Sequence, residues 1–227
     1  MARVVKEEEY AVRRNEILDA AQRLIFTKGY DQTSIQDILA AAQVSKGAFY
    51  HYFDSKQELL EALISRIQDE AEQVLCPILQ DPELNALEKL HRYFATISNW
   101  KTERKAFLLS LLRVLYADAN ALMRQKMVRG VIRRFAPQLS TIIQQGMREG
   151  VLQPAYPDQA GEIALSLLQS QGDTLAELML ASEKEPTMFT QVESIVTAYT
   201  DALERVLGAR AGSVHVIDTE MLKEWFV

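Results

Sequence analysis

Between Arg13 and Lys28 the apolar residues Ile17, Leu18, Ala21, Leu24 and Ile25 recur at the period of an amphipathic helix, with Gly29 placed to end it. A shorter helix is predicted from a cap at Thr33 or Ser34 to about Ala42, burying Ile35, Ile38 and Leu39. Ser45 is a further cap signal, so only a tight turn separates this helix from the next short one. The run SKQE, Ser55 to Glu58, has capping-box spacing and opens a long helix through Leu59, Leu60, Leu63, Ile64 and Ile67 toward Pro77. Beyond Pro82, helices are predicted over 83–102, 103–116, 118–150 with a kink before Pro137, 158–182 and 187–207, with turns at EGVLQPAYP and SEKEP. Segment 213–227 reads as a strand, a short helix or a docked tail, and the pattern does not choose among them.

Composition agrees with an all-α chain, because 9 Gly and 6 Pro in 227 residues are too few to punctuate an all-β fold. With 48% hydrophobic and 25% charged residues the chain is of ordinary globular character. Its length suits a small domain joined to a larger one. A lone cysteine, Cys76, excludes an internal disulfide, and the N-terminus lacks a signal-peptide pattern. No apolar run reaches the roughly 18–20 residues of a membrane span; even LLSLLRVLYA is broken by Arg113. The expectation is a cytoplasmic protein with no membrane partner. The net charge of −6 argues against a nucleic-acid partner only until it is located. Residues 1–56 hold equal numbers of basic and acidic side chains, and between Val44 and Phe53 the only charge is Lys46.

The stretch VSKGAFYHYFDSK, 44–56, is poorly suited to filling a core. Two short helices joined by a tight turn form a helix-turn-helix, whose second helix lies in the DNA major groove. Gly47 costs about 1 kcal/mol relative to Ala in a helix interior, a penalty that close approach of the backbone to DNA would offset. Gly47 and Ala48 would then be the low side of the helix. Lys46 and Lys56 each follow a helix cap, where a cation is disfavoured unless a phosphate docks on it. Tyr50, His51 and Tyr52 can donate to phosphate oxygens or lay a ring edge on a thymine methyl, while Phe49 and Phe53 anchor the helix. Arg3 and Lys6 have the composition of a minor-groove arm, but Glu7, Glu8 and Glu9 follow them directly, and an inert, disordered terminus is expected.

From Ile17 to Leu60 the order is helix, Gly-aromatic, Thr-Ser, Ile, then Val-Ser-x-Gly-x-aromatic-Tyr-x-x-Phe and Lys-x-x-Leu. In this order the sequence resembles the TetR (tetracycline-repressor) family of bacterial transcription regulators. Gln43 stands where the family usually has Gly, so it must hold a left-handed or strained turn; Tyr52 stands where the family often has His. The resemblance implies an N-terminal three-helix DNA-binding domain over 1–54 and a larger helical ligand-binding and dimerisation domain over 55–227. It implies base contacts from Gln36, Lys46, Gly47, Ala48 and Tyr50, and backbone contacts from Ser34, His51, Tyr52 and Lys56. It also implies a homodimer built on the helices at 158–182 and 187–207, where Ala160, Gly161, Ala164 and Ser170 would allow close helix approach. The implied function is a repressor released from a palindromic double-stranded operator by an unidentified small molecule. Trp100, Phe107, Tyr116, Met123, Met127, Phe135 and Gln169 are pocket candidates, because they mix apolar surface with occasional polar groups on predicted helices.

Glu88 and His91 form an E-x-x-H pair of the kind used in di-iron helical bundles. That chemistry needs a second such pair and further carboxylates, and neither His51 nor His215 supplies it. No nucleophile elbow, Gly-rich phosphate loop or zinc spacing occurs, so no catalytic residue, cofactor or metal is expected. A helical enzyme and a helical adaptor without DNA binding stand as the alternatives.

Overall fold

A computed structural model describes residues 2–181, 188–218, 221–222 and 224–226, without the side chains of residues 2–8, 188 and 224. The turn at SEKEP and the side chains of Arg3 and Lys6 lie outside that description. Among the described residues the chain is helical: α1 (Ala2–Lys28), α2 (Ile35–Ala42), α3 (Lys46–Tyr52), α4 (Lys56–Gln80), α5 (Ala86–Glu103), α6 (Lys105–Leu115), α7 (Ala121–Arg148), α8 (Pro157–Leu180) and α9 (Met188–Leu207). Two helices extend past their expected ends, α1 at its start and α4 beyond Pro77 to Gln80, while Pro137 falls inside α7 as its predicted span has it. α1 runs back to Ala2 instead of starting near Arg13, through a segment free of Gly and Pro. Pro77 lies inside α4 and Pro137 inside α7. Each ring removes the N–H that would have met the carbonyl four residues earlier, and Gln73 and Arg133 at those positions are exposed, where water can take over.

The chain divides into two compact units, one of residues 1–69 and 106–123, the other of 70–105 and 124–227. In the first, Ile17, Leu18, Ala21 and Ile25 of α1 pack with Ile38 of α2, Phe49 and Phe53 at α3, and Leu59 and Leu63 of α4. Phe107 of α6 completes this core. The turn between α2 and α3 is held by Gln43 at φ 54, ψ 42, a left-handed conformation that its side chain disfavours. Glycine carries no such penalty, so Gln43→Gly is expected to raise the unfolding free energy by about 0.5–1 kcal/mol in a urea titration.

In the second unit, Glu72 of α4 accepts hydrogen bonds from Arg134 Nε (2.7 Å) and Gln138 Nε2 (3.0 Å), and Tyr93 donates to Gln138 Oε1 at 3.3 Å. Burial, then the charge of Glu72, pushes the Tyr93 phenol pKa up. Gly161 of α8 lies against α7: a Cβ there would sit 2.1 Å from Ser140 Oγ and 2.8 Å from the Ala136 carbonyl oxygen. Ala160 and Ala164 are buried too. The expectation that these three small residues face a second copy is therefore corrected, since their close approach is to their own chain. Ser170 remains exposed, with its hydroxyl 2.8 Å from that of Tyr199 on α9.

Among the described residues of segment 213–227, residues 213–218 lack regular structure, 221–222 are helical and 224–226 form a short 3-10 helix, so the tail combines a docked extended part with a short helical part. The buried Glu204 carboxylate accepts the amides of Gly212 (3.0 Å) and Val214 (2.9 Å). Further contacts tie the tail to α5: His91 Nε2 lies 2.8 Å from the Ser213 carbonyl oxygen, and Trp225 Nε1 donates to Thr102 Oγ1 at 3.2 Å. Val214, Val216 and Leu222 are buried by this docking.

Candidate nucleic-acid interface

The geometry of α2, α3 and their turns follows from three caps. Ser34 Oγ accepts from Asp37 N at 3.1 Å, while Asp37 Oδ2 accepts from Ser34 N at 2.7 Å, a reciprocal capping box. The same carboxylate pairs with Lys28 at 2.8 Å. Hydrogen bonding from Lys28, then from the Ser34 hydroxyl and amide, holds Asp37 well below the usual carboxylate range. Asp37 thus stays ionised but locally neutralised. Ser45 Oγ accepts from Ala48 N at 3.1 Å and starts α3, and Ser55 Oγ accepts from Glu58 N at 3.0 Å at the start of α4.

Of seven residues in α3, Phe49 alone is buried, and Phe53 follows it into the core at the helix end. That anchoring turns Lys46, Gly47, Tyr50 and His51 outward, and all four are exposed. The i, i+4 spacing places Tyr50 one turn from Lys46 and His51 one turn from Gly47. Ser34 and Gln36 are exposed at the start of α2, while Ala48, Tyr52 and Lys56 are half-buried. A Cβ built on Gly47 meets nothing closer than Ser45 Oγ at 4.0 Å. Packing within the chain therefore gives no reason for glycine at this position.

Lys56 has a more complex placement than the sequence suggested. Its ammonium donates to the Tyr30 carbonyl at 2.6 Å and sits 3.9 Å from the centroid of the Tyr30 ring. Burial depresses its pKa, opposed by the carboxylates of Asp31 and Asp37. An ammonium has three donors, so this bond leaves two for a phosphate. Of the two cap candidates Ser34 is the cap, and Thr33 and Tyr10 take other roles. Thr33, fully buried, donates to the Gly29 carbonyl at 2.7 Å and ties the end of α1 to the start of α2. Tyr10 of α1 places its ring against those of Tyr52 and His51. Tyr10 lies seven residues before Ile17, on the face of the apolar stripe, but is itself exposed.

Residues 17–63 match the family described as bacterial regulatory proteins, tetR family, and residues 110–189 match a tetracyclin repressor-like C-terminal domain. The chain belongs to the TetR family. A TetR-type relative, the uncharacterized HTH-type transcriptional regulator YvaF of Bacillus subtilis (strain 168), is 27% identical over 183 residues, covering 74% of this chain and 96% of the relative. The HTH-type transcriptional repressor DhaR of Mycobacterium sp. (strain GP1) is 29% identical over 84 residues, 37% of this chain and 42% of DhaR. The match therefore spans less than half of DhaR's length. Two solved structures share the TetR fold. SmeT, the repressor of the Stenotrophomonas maltophilia multidrug efflux pump SmeDEF, superposes with TM-score 0.62 at 17% identity, covering 90% of this chain and 96% of SmeT. Salmonella enterica GusR does so with TM-score 0.58 at 19% identity, covering 87% and 96%.

The pocket candidates divide between the two units. Phe107, Tyr116 and Met123 belong to the first, where Phe107 packs in the helix-turn-helix core. Trp100, Met127, Phe135 and Gln169 belong to the second. Trp100 and Phe135 are buried there, Met127 and Gln169 half-buried. The Trp100 indole N–H is buried without a hydrogen-bond partner. Arg104 covers its ring, 4.6 Å from the centroid. Glu88 caps α5, accepting from Asn85 N at 2.9 Å, and His91 faces His215, with 3.3 Å between Nε2 and Nδ1. Among the described residues no group of three or more His, Cys, Asp and Glu converges as a metal site.

Proposed function

We propose that the protein is a ligand-responsive, DNA-binding transcriptional regulator that acts as a repressor, with α2 and α3 as its helix-turn-helix. The observation that carries this reading is the empty space before Gly47, on a helix face that also presents Lys46, Tyr50 and His51. Glycine weakens a short helix and fills no internal gap here, so its use is close approach to something outside the chain. On this reading Gln36, Lys46, Gly47, Ala48 and Tyr50 meet base edges. Ser34, His51, Tyr52 and Lys56 meet the phosphate backbone.

The working form is a homodimer through α8 and α9, whose recognition helices enter successive major grooves about 34 Å apart on a palindromic operator. The exposed Ile163, Ser166 and Ser170 share one face of α8 and support a helix-helix contact there. The small-molecule site belongs to the helical domain, which we begin near residue 55. There the unpartnered Trp100 N–H calls for a ligand bearing a hydrogen-bond acceptor. Ligand and operator weaken each other's binding by one common factor, which is how induction follows. Among the described residues no single helix is long and apolar enough to cross a membrane, and we place the protein in the cytoplasm as a non-enzyme. Selection of bound duplexes from a random pool tests the reading: a palindrome should be enriched, and failure to enrich any sequence would contradict it.

A further inference from the structure

We propose that Tyr10 of α1 is a positioning residue for DNA binding, acting through the rings of His51 and Tyr52 at the end of α3. The inference rests on the function proposed above. The part of α1 that carries Tyr10 has no role in the core: residues 9–13 are all exposed, and the first buried residue is Ile17. Tyr10 nevertheless reaches across to α3. Its ring centroid lies 4.6 Å from that of Tyr52, tilted by 45°, and 5.6 Å from that of His51, edge-on at 80°. His51 and Tyr52 are themselves 5.1 Å apart at 74°, so the three rings close a triangle. One turn further along α1, the Arg14 guanidinium lies 5.0 Å from the Phe53 ring centroid. Two residues of one face of α1 thus bracket the exit of α3.

This bracket addresses a specific weakness. α3 has seven residues, and His51 and Tyr52 are its last two, where helix ends fray and side chains sample several rotamers. A hydroxyl or imidazole aimed at one phosphate oxygen is effective only if its ring is held in advance. Edge and tilted ring contacts have that directionality. Tyr10 retains 39% exposure, so its removal opens no cavity in the core.

The test uses the full-length protein and a duplex recovered by the selection above, with affinity read by fluorescence anisotropy at fixed salt. Tyr10→Ala is expected to weaken binding about tenfold with the unfolding midpoint lowered by only a few degrees. Tyr10→Phe keeps the ring and should bind within about twofold of the unsubstituted protein. Tyr10→Leu, which keeps bulk without a ring, should behave as Tyr10→Ala. In a His51→Ala/Tyr52→Phe background, Tyr10→Ala should add little, because the groups it positions are gone. Unchanged binding by Tyr10→Ala, failure of Tyr10→Phe to restore affinity, or full additivity in that background would each overturn the inference. Should the unsubstituted protein bind no duplex, both the inference and the functional reading fall. That outcome is separable, since the other three require a wild-type signal.

Discussion

Replacing Gly208 with alanine is expected to lower the unfolding free energy by about 3 kcal/mol. Two independent penalties meet at this residue. Its φ is +59°, a left-handed conformation that a side chain makes unfavourable by about 1–2 kcal/mol. A Cβ there would also stand 2.0 Å from the Gln153 carbonyl oxygen, a backbone atom that cannot rotate away. Gln153 cannot retreat without loss, because its amide donates to the carbonyls of Leu207 (3.1 Å) and Gly208 (3.2 Å). The substitution therefore sets the loop after α7 against the end of α9. Chemical denaturation measures the effect. Gly130→Ala gives the contrast: no atom lies within 4 Å of its Cβ, and its helical site should gain about 0.5–1 kcal/mol. Equal effects at the two glycines would contradict the packing described here.

The second large effect concerns binding. Lys46→Glu is expected to weaken operator affinity by about 100-fold or more at moderate salt, since it removes a phosphate or base partner and aims an anion at the duplex. Stability should barely change, because Lys46 is exposed on the outer face of α3. Anisotropy titrations on the selected duplex, with thermal unfolding alongside, separate the two readouts. A variant that binds as well as the original would remove Lys46 from the interface.

Local chemistry is legible in the amino-acid order itself. Caps at Ser34, Ser45 and Ser55 act over three residues, so their spacing is written in the sequence. The burial of Phe49 and Phe53 follows from helical period alone. The left-handed Gln43 is legible through the family resemblance, because Gln43 stands where the TetR family usually has Gly. What stays illegible depends on partners far along the chain. Lys56 bonds to a carbonyl 26 positions away, and Tyr10 meets rings carried by α3: helical period places Tyr10 on the face of Ile17 but does not name its partners. The tail is held by Glu204, which no motif marks, and by His91, which the sequence presents only as half of an E-x-x-H pair. Small residues at Ala160, Gly161 and Ala164 signal a close helix contact, but composition cannot say whether the neighbouring helix belongs to the same chain. The extension of α1 back to Ala2 has no apolar period to announce it, since the charge run Glu7 to Glu9 interrupts the pattern.

The central physical claim is that the helix-turn-helix and the start of α4 grip a polyanion. The most direct measurement is the salt dependence of duplex affinity for the unsubstituted protein and for Lys56→Ala. The account predicts a straight log–log plot whose slope shrinks in the variant by about 0.9 for each phosphate that Lys56 neutralises. Absence of affinity for any duplex at low salt, or a slope that Lys56→Ala leaves untouched, would contradict it.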